Sequence, residues 1–195
     1  LHSDLRRQRQ MFIRDRLLFL EPPTQKHAHL KLKIYNVDGS LAENCVNGIR
    51  ALALYAFDES LVFSNTFILQ IEDNLAQITR LQENEFAVKM SSFKFTKSSC
   101  AIADSQELQF NFEGTDIKFY PVSVGNPHAV IFQDSLSDQI PEMGLTLQES
   151  NIYKNGVNVG FVEILNEKEI NLRVVERGVG ETLACGSGAC AAVLS

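Results

Sequence analysis

The sequence has no long apolar run, no basic block and no cysteine pair of the zinc-binding type. Its apolar stretches, such as residues 51–57, are far shorter than the ~20 residues that a membrane-spanning helix needs. The net charge is −6 and lysine and arginine are not clustered in a block, so we expect neither nucleic acid nor a membrane as partner. The four cysteines include no CxxC pair, which argues against a metal site.

The composition is that of an ordinary globular protein. The 195 residues are 45% hydrophobic and 22% charged, enough for one large domain or two small ones. The polar start has no signal-peptide pattern, so we expect a cytoplasmic protein with free thiols. The sequence starts without methionine and stops inside a helical pattern, and we expect a piece of a longer protein.

Strand patterns dominate, and two apolar segments have helical character. Residues 17–20, which precede two prolines, predict a buried strand, and residues 30–35 alternate as in a strand with one wet face. Further strands are expected at 66–71, 86–90, 108–112, 117–122 and 129–132, with a hairpin of 157–164 and 168–175. Residues 46–57 and 186–195 predict buried helices, each beginning just after a cysteine.

Those two cysteines, Cys45 and Cys185, occur in near-matching frames 140 positions apart (185 − 45). The frames are residues 36–48, NVDGSLAENCVNG, and residues 176–188, ERGVGETLACGSG. Each has a polar residue nine positions before the cysteine and a small polar residue followed by glycine just after it. The pattern indicates two related halves, each presenting one thiol at the start of a helix.

A thiol at a helix start suits acid–base chemistry at carbon. A helix N-terminus lowers the pKa of a thiol and offers unpaired N–H groups to an anionic carboxylate. Two facing thiols can remove a proton from one side of a carbon and return one on the other side. The alternative for a single cysteine among small residues is a packed core thiol, and we assign Cys100 and Cys190 to that class.

Four motifs in order resemble those of the diaminopimelate epimerase family. They are residues 36–40 NVDGS, 125–130 GNPHAV, 156–161 GVNVGF and 176–192 ERGVGETLACGSGACAA. The resemblance implies an α/β (α+β) fold of two pseudo-symmetric halves, 1–105 and 106–195, each a curved, mostly antiparallel sheet wrapped around a central helix. The family's site lies in the cleft between the halves.

The resemblance also implies an activity and its setting. It implies a cofactor-independent isomerase that interconverts LL- and meso-2,6-diaminopimelate on the route to lysine and peptidoglycan. It further implies a cytoplasmic homodimer whose ligand is a small amino acid.

The site residues are carried over by motif. Cys45 and Cys185 would be the two acid–base thiols, and His128 and Glu176 would support catalysis. The substrate-binding set implied by the motifs is Asn36, Asn47, Gly48, Asn126, Asn158, Glu176, Arg177, Gly186 and Ser187. A guanidinium such as that of Arg177 suits a carboxylate, whereas amide and carboxylate oxygens can accept hydrogen bonds from an amino group.

Departures from the family pattern leave two alternatives open. Val46 stands where the family has glycine, Arg16 stands where it has a glutamine that touches substrate, and the family's terminal strands are absent. One alternative is therefore an impaired or truncated homologue that binds without turnover. The other is a related enzyme of the proline racemase type, although residues 176–187 resemble the diaminopimelate group more closely.

Overall fold

The computed structural model describes residues 16–36, 39–42, 45–90, 93–105 and 107–195. The chain divides into two compact units, Leu1–Ser91 and Ser92–Ser195. In the part of the chain that is described, no helix is both long and apolar enough to cross a membrane.

The division between the units lies 14 residues (105 − 91) before the boundary expected from the sequence. Residues 93–105 belong to the second unit because they contact it in two ways. Lys94 pairs with Ser123, and the side chains of Cys100 and Ile102 are buried in the core of the second unit.

The first unit is a five-stranded sheet with one helix. Its elements are β1 (Arg16–Glu21), β2 (Leu30–Asn36), α1 (Val46–Asp58), β3 (Thr66–Ile71), β4 (Asn74–Gln82) and β5 (Glu85–Met90). The strands lie in chain order across the sheet. Only β2 and β3 pair in parallel, because α1 forms the crossover between them, and the other neighbours are antiparallel.

One face of this sheet packs on α1. The apolar side of α1 supplies Ile49, Leu52, Ala53 and Ala56 to a core shared with alternate residues of the strands. Because α1 contacts both edge strands, β1 and β5, the sheet curves around the helix. The strand at residues 17–20 is therefore not buried as expected: Leu17 is 57% and Phe19 49% exposed, since they point away from α1 on an edge strand.

The second unit has a five-stranded sheet, a separate hairpin and two helices. Its elements are a 3₁₀ turn (Ser98–Cys100), β6 (Gln109–Phe112), β7 (Thr115–Lys118), β8 (Tyr120–Ser123), β9 (Pro127–Phe132), α2 (Ile140–Glu149), β10 (Asn158–Asn166), β11 (Glu169–Glu176), β12 (Gly180–Thr182) and α3 (Gly186–Leu194). The sheet order is β12-β11-β10-β9-β8, and β6 and β7 pair with each other. β9 and β10 are parallel around α2.

The sheet of the second unit is covered on both faces. Ile131 and Phe161 pack with α2 on one side, whereas Val130 and Val162 pack with α3 on the other. This explains the apolar character of β9 and of the first part of β10, since residues 127–131 and 158–162 are buried.

The two units repeat a local structure with the offset of 140 residues. β2 and β11 end at Asn36 and Glu176, nine residues before Cys45 and Cys185. After each strand end the chain turns back in the same register, since Tyr35 pairs with Leu41 and Val175 pairs with Glu181. The repeat of strand, turn and helix confirms the two related halves expected from the sequence.

The α+β fold class is confirmed, and most strand predictions fall within one or two residues of the observed elements. Three elements, β4, α2 and the short strand β12, were missed. The predicted strand at 117–122 is two strands, because the chain passes at the buried Phe119 from the hairpin into the main sheet.

Candidate functional site

Cys185 is the N-cap residue of α3. Its backbone is extended, with φ −123° and ψ 104°, and its Sγ accepts a hydrogen bond from the N–H of Gly188 over 3.3 Å. The sulfur therefore faces the positive end of the helix, where unpaired N–H groups concentrate. This environment favours the thiolate over the thiol.

Cys45 has the same position on α1. It is the N-cap, with φ −153° and ψ 91°, and its Sγ accepts from the N–H of Gly48, also over 3.3 Å. The first helical backbone bond also repeats, from Ile49 to the Cys45 carbonyl and from Ala189 to the Cys185 carbonyl, at 2.9 and 3.0 Å. The predicted thiols at helix starts are thus present in both units.

A glycine at the third helical position is needed for this contact. A Cβ on Gly48 would lie 3.1 Å from the Cys45 Sγ, and one on Gly188 would lie 3.2 Å from the Cys185 Sγ. Both distances are tight for a carbon atom, so an alanine would push the sulfur off the helix axis. The glycine in each cysteine frame therefore leaves room for the thiol and for one apolar neighbour, Leu18 at 3.0 Å from a Cβ on Gly48 and Val174 at 2.9 Å from one on Gly188.

In the second unit a chain of hydrogen bonds leads inward from the thiol. The Cys185 Sγ lies 3.5 Å from the Oγ of Ser187, which lies 3.1 Å from the Nε2 of His128. The same Nε2 lies 3.2 Å from the Oδ1 of Asn126. Four residues proposed from the sequence thus form one connected group, built from the loop before β9, the strand itself and the start of α3.

His128 is neutral in this group. Its side chain is 1% exposed, and burial together with the charge of Arg177 lowers its pKa from 6.5 to about 4. The Tyr153 hydroxyl donates a hydrogen bond to the backbone carbonyl of His128 over 3.4 Å. His128 therefore acts as a hydrogen-bonding group at neutral pH and carries no charge.

Asn158 connects three segments of the second unit. Its Nδ2 donates to the carbonyl of Pro127 over 3.2 Å, and its Oδ1 accepts from the backbone N–H of Arg177 over 3.1 Å. Each end of the amide keeps one further hydrogen-bonding position, so a role in substrate binding stays a prediction.

Arg177 is oriented by two residues that the sequence analysis did not name as site residues, Asn155 and Gly156. Its Nη1 donates to the carbonyl of Asn155 over 2.7 Å. A Cβ on Gly156 would lie 2.6 Å from its Cδ, so the side chain passes directly over that glycine. Gly156 also has a positive φ of 72°, a backbone conformation that glycine adopts readily.

Glu176, the last residue of β11, accepts a hydrogen bond from the Thr182 hydroxyl, with 2.6 Å between Oγ1 and Oε1. Thr182 is a further residue that the sequence analysis did not name. Thr182 lies three residues before Cys185, and its hydroxyl fixes one oxygen of the Glu176 carboxylate.

At the equivalent place in the first unit, where residues 37–38 and 43–44 lie outside the described residues, two asparagines of the predicted set are seen. The Nδ2 of Asn36 donates to the Oγ of Ser40 over 2.9 Å, and Asn47 is exposed beside the helix start. Arg16, which departs from the family pattern, lies directly opposite Asn36 in the pairing of β1 with β2. The departure therefore falls beside the candidate site.

The other two cysteines lie elsewhere in the second unit. Cys100 is buried, and burial raises the pKa of its thiol. Cys190 is exposed on α3, so its assignment as a packed core thiol was wrong. Among the residues described, no group of three His, Cys, Asp or Glu side chains could bind a metal ion.

Comparison with known proteins identifies relatives of this chain. A family model described as diaminopimelate epimerase matches residues 120–195. The diaminopimelate epimerase of Teredinibacter turnerae is 35% identical over 185 residues, covering 93% of this chain and 67% of the relative. That of Acinetobacter baumannii is 36% identical over 186 residues, covering 93% and 66%.

A third relative, the diaminopimelate epimerase of Psychrobacter cryohalolentis, is 36% identical over 186 residues and is covered to 63%. The chain thus spans about two thirds of the length of the curated relatives it matches. The family motifs quoted from the sequence fall within the matched part.

Solved structures share the fold at low sequence identity. A probable proline racemase from Agrobacterium radiobacter superposes with a TM-score of 0.67 at 15% identity, covering 92% of this chain and 59% of that one. A hydroxyproline epimerase from Agrobacterium vitis gives a TM-score of 0.68 at 14% identity, with 92% and 58% covered. At these identities the likeness establishes the fold alone.

Proposed function

Since this chain belongs to the diaminopimelate epimerase family, we propose that it is the major part of an enzyme that interconverts LL- and meso-2,6-diaminopimelate. The observation that carries the proposal is the repeated thiol site, with Cys45 and Cys185 each capping a helix and each bonded to a glycine N–H. A pair of equivalent thiols is what a reaction with two equivalent directions requires.

The reaction removes a weakly acidic proton from an α-carbon. One sulfur, as thiolate, takes the proton, and the other, as thiol, delivers a proton to the opposite side of the same carbon. The roles exchange when the reaction runs in reverse. Because the two thiols supply both acid and base, the proposed reaction uses no cofactor.

Charge develops on the substrate carboxylate as the proton leaves. The first N–H groups of α3, at Gly186 and Ser187, have no partner within the helix and can stabilise this negative charge by donating hydrogen bonds to the carboxylate. Arg177, whose guanidinium is held by the Asn155 carbonyl, can bind the carboxylate at the far end of the substrate. Asn36, Asn47 and Asn126 are proposed to bind the amino groups.

The proposed setting follows from the reaction. An enzyme that makes meso-diaminopimelate serves lysine and peptidoglycan synthesis and acts on a free amino acid. The cytoplasmic setting and the homodimer are proposed because the family resemblance implies them. The proposal includes neither nucleic acid nor a membrane as partner.

Proton exchange at the α-carbon tests the activity directly. LL- or meso-diaminopimelate is incubated with the protein in heavy water, and deuterium at the α-carbon is followed by NMR or mass spectrometry. We expect exchange with the native chain and none with Cys45→Ser or Cys185→Ser. Cys190→Ser is the matched control, because Cys190 lies on the same helix as Cys185 but faces outward.

A second outcome is favoured by Val46 at the start of α1 and by the position of Arg16 opposite Asn36. If these residues block turnover, the chain binds diaminopimelate without exchange. Calorimetric titration with diaminopimelate, and with proline as the competing substrate class, separates binding without turnover from a different specificity. If the folded chain shows no proton exchange and also does not bind diaminopimelate, the proposal is refuted.

A further inference from the structure

The hydrogen bonds around Ser187 have a direction that can be worked out. Ser187 is 6% exposed, and its hydroxyl lies between the His128 Nε2, at 3.1 Å, and the Cys185 Sγ, at 3.5 Å. A hydroxyl has one proton, so it can donate to only one of these two atoms. Which atom receives it depends on where His128 carries its own proton.

The neutral imidazole carries its proton on Nε2. The other ring nitrogen, Nδ1, is buried and has no hydrogen-bond partner among the described residues. A buried N–H without an acceptor is rarer and costlier than a buried lone pair without a donor, which excludes a proton on Nδ1. With the proton on Nε2, the ring donates to the Asn126 Oδ1, at 3.2 Å, and toward the Ser187 Oγ.

The Ser187 hydroxyl then has its oxygen facing an N–H and its proton free to point away. We propose that Ser187 is a positioning residue whose hydroxyl, oriented by neutral His128, donates to the Cys185 Sγ and stabilises its thiolate. This inference rests on the proposed function, in which Cys185 acts as a base in one direction. The hydroxyl acts on the sulfur together with the Gly188 N–H, which donates to the same Sγ over 3.3 Å.

The direction of the Ser187 hydroxyl does not change over the neutral pH range, because the protonation state of His128 does not change there. His128 stays uncharged there, since burial and the nearby Arg177 lower its pKa to about 4. Protonated His128 would also donate through Nε2, so the hydroxyl would keep its direction. The serine therefore gives a donor to sulfur in both states of the histidine.

The test measures the reactivity of each thiol and does not need turnover. The native chain, Ser187→Ala and Ser187→Thr are alkylated with iodoacetamide over a series of pH values. The rate at Cys185 is then read from its peptide by mass spectrometry. Ser195→Ala is the matched control on α3, because the Ser195 hydroxyl donates to the Ala191 carbonyl and does not contact the thiol. Cys190 in the same digest is the internal reference.

We expect the midpoint pH for Cys185 alkylation to rise by about one unit in Ser187→Ala, so that the rate at neutral pH falls several-fold, as for one lost hydrogen bond to a charged acceptor. Ser187→Thr keeps the hydroxyl and should stay within twofold of the native rate. An unchanged midpoint in Ser187→Ala, or an equal shift in Ser187→Thr, would overturn the proposal.

A measurement on the native chain tests the proposal even if the variants fail to fold. With cysteine labelled at Cβ, the NMR titration of Cys185 should have its midpoint below ~8.5, the value of an ordinary thiol. A midpoint at or above that value would refute the stabilised thiolate. These readouts differ from α-proton exchange, so failure of the epimerase activity would be seen separately.

Discussion

The side chain of Arg177 fills the space beside Gly156, since a Cβ on Gly156 would lie 2.6 Å from the Cδ of Arg177. Gly156→Ala should therefore displace the guanidinium from the Asn155 carbonyl, which it now contacts at 2.7 Å. If Arg177 binds the distal carboxylate, the KM for diaminopimelate should rise about tenfold, as expected for one lost charge-assisted hydrogen bond, with a smaller change in kcat.

Gly114→Ala separates the contact from backbone strain. Gly114 has a φ of 82°, close to the 72° of Gly156, but a Cβ there would meet nothing within 4 Å. Both variants should lose about 1 kcal/mol of stability from the left-handed backbone. Only Gly156→Ala should change the KM, and an equal effect of both would contradict the role given to Arg177.

Gly188 and Gly144 form a second matched pair. A Cβ on Gly188 would lie 2.9 Å from the Val174 Cγ2 and 3.2 Å from the Cys185 Sγ, whereas one on Gly144 would lie 2.6 Å from the Val175 Cγ2. Both alanine variants should therefore lose about 1–3 kcal/mol of stability to overpacking, although alanine is the better helix former.

The thiol distinguishes the two variants. Gly188→Ala should also slow alkylation of Cys185 at neutral pH and reduce proton exchange, because the sulfur is pushed from the helix N-terminus. Gly144→Ala should leave the alkylation of Cys185 unchanged. Thermal unfolding and peptide mapping on the same samples provide both readouts, and a similar alkylation rate in both variants would exclude the glycine–thiol contact as the cause.

Buried His128 predicts a pH-dependent stability. Its pKa is near 4 in the folded chain and 6.5 when exposed, so the unfolded chain binds the extra proton between these values. The free energy of unfolding should therefore fall as the pH drops from 6.5 to 4, by up to about 3 kcal/mol. Its contribution should be constant above this range.

Chemical denaturation at pH 7, 6 and 5 measures this slope, since ~1.4 kcal/mol corresponds to each pKa unit. His128→Gln keeps a polar side chain but cannot titrate, so its stability should depend less on pH in this range. His27→Gln, at an exposed position of the first unit, is the control and should keep the native slope. Equal slopes in all three proteins would show that His128 is not buried as a neutral ring.

The parts of the fold that depend on local pattern were predictable from the sequence. The strand at Thr66–Ile71 and the helix start after Cys185 follow from alternation and from small residues next to a cap position. The helix α2 was missed although Ile140, Met143 and Leu147 have helical spacing and a proline occupies its first turn. The apolar strands on both sides dominated that region.

The contacts within the site were less accessible, because they join residues far apart in the chain. Ser187 and His128 are 59 positions apart, and no local pattern connects a serine at a helix start to a histidine in a strand. Likewise, nothing near Gly156 indicates that the side chain of Arg177 lies over it. The resemblance to the family named most of these residues, and the fold supplies the contacts between them.

The two departures from the family pattern give the final prediction. Val46 is the first residue of α1, where a side chain is added next to the N–H groups that would meet a carboxylate, and Arg16 adds a charge opposite Asn36. Val46→Gly and Arg16→Gln restore the residues that the family resemblance implies. We expect each to raise kcat/KM for proton exchange several-fold and the double variant to raise it further. Val46→Ala is the matched control, because it removes the branched side chain without the freedom of glycine and should recover most of the gain. A fall in kcat/KM for Val46→Gly with stability unchanged would mean that this chain has adapted its site around the valine.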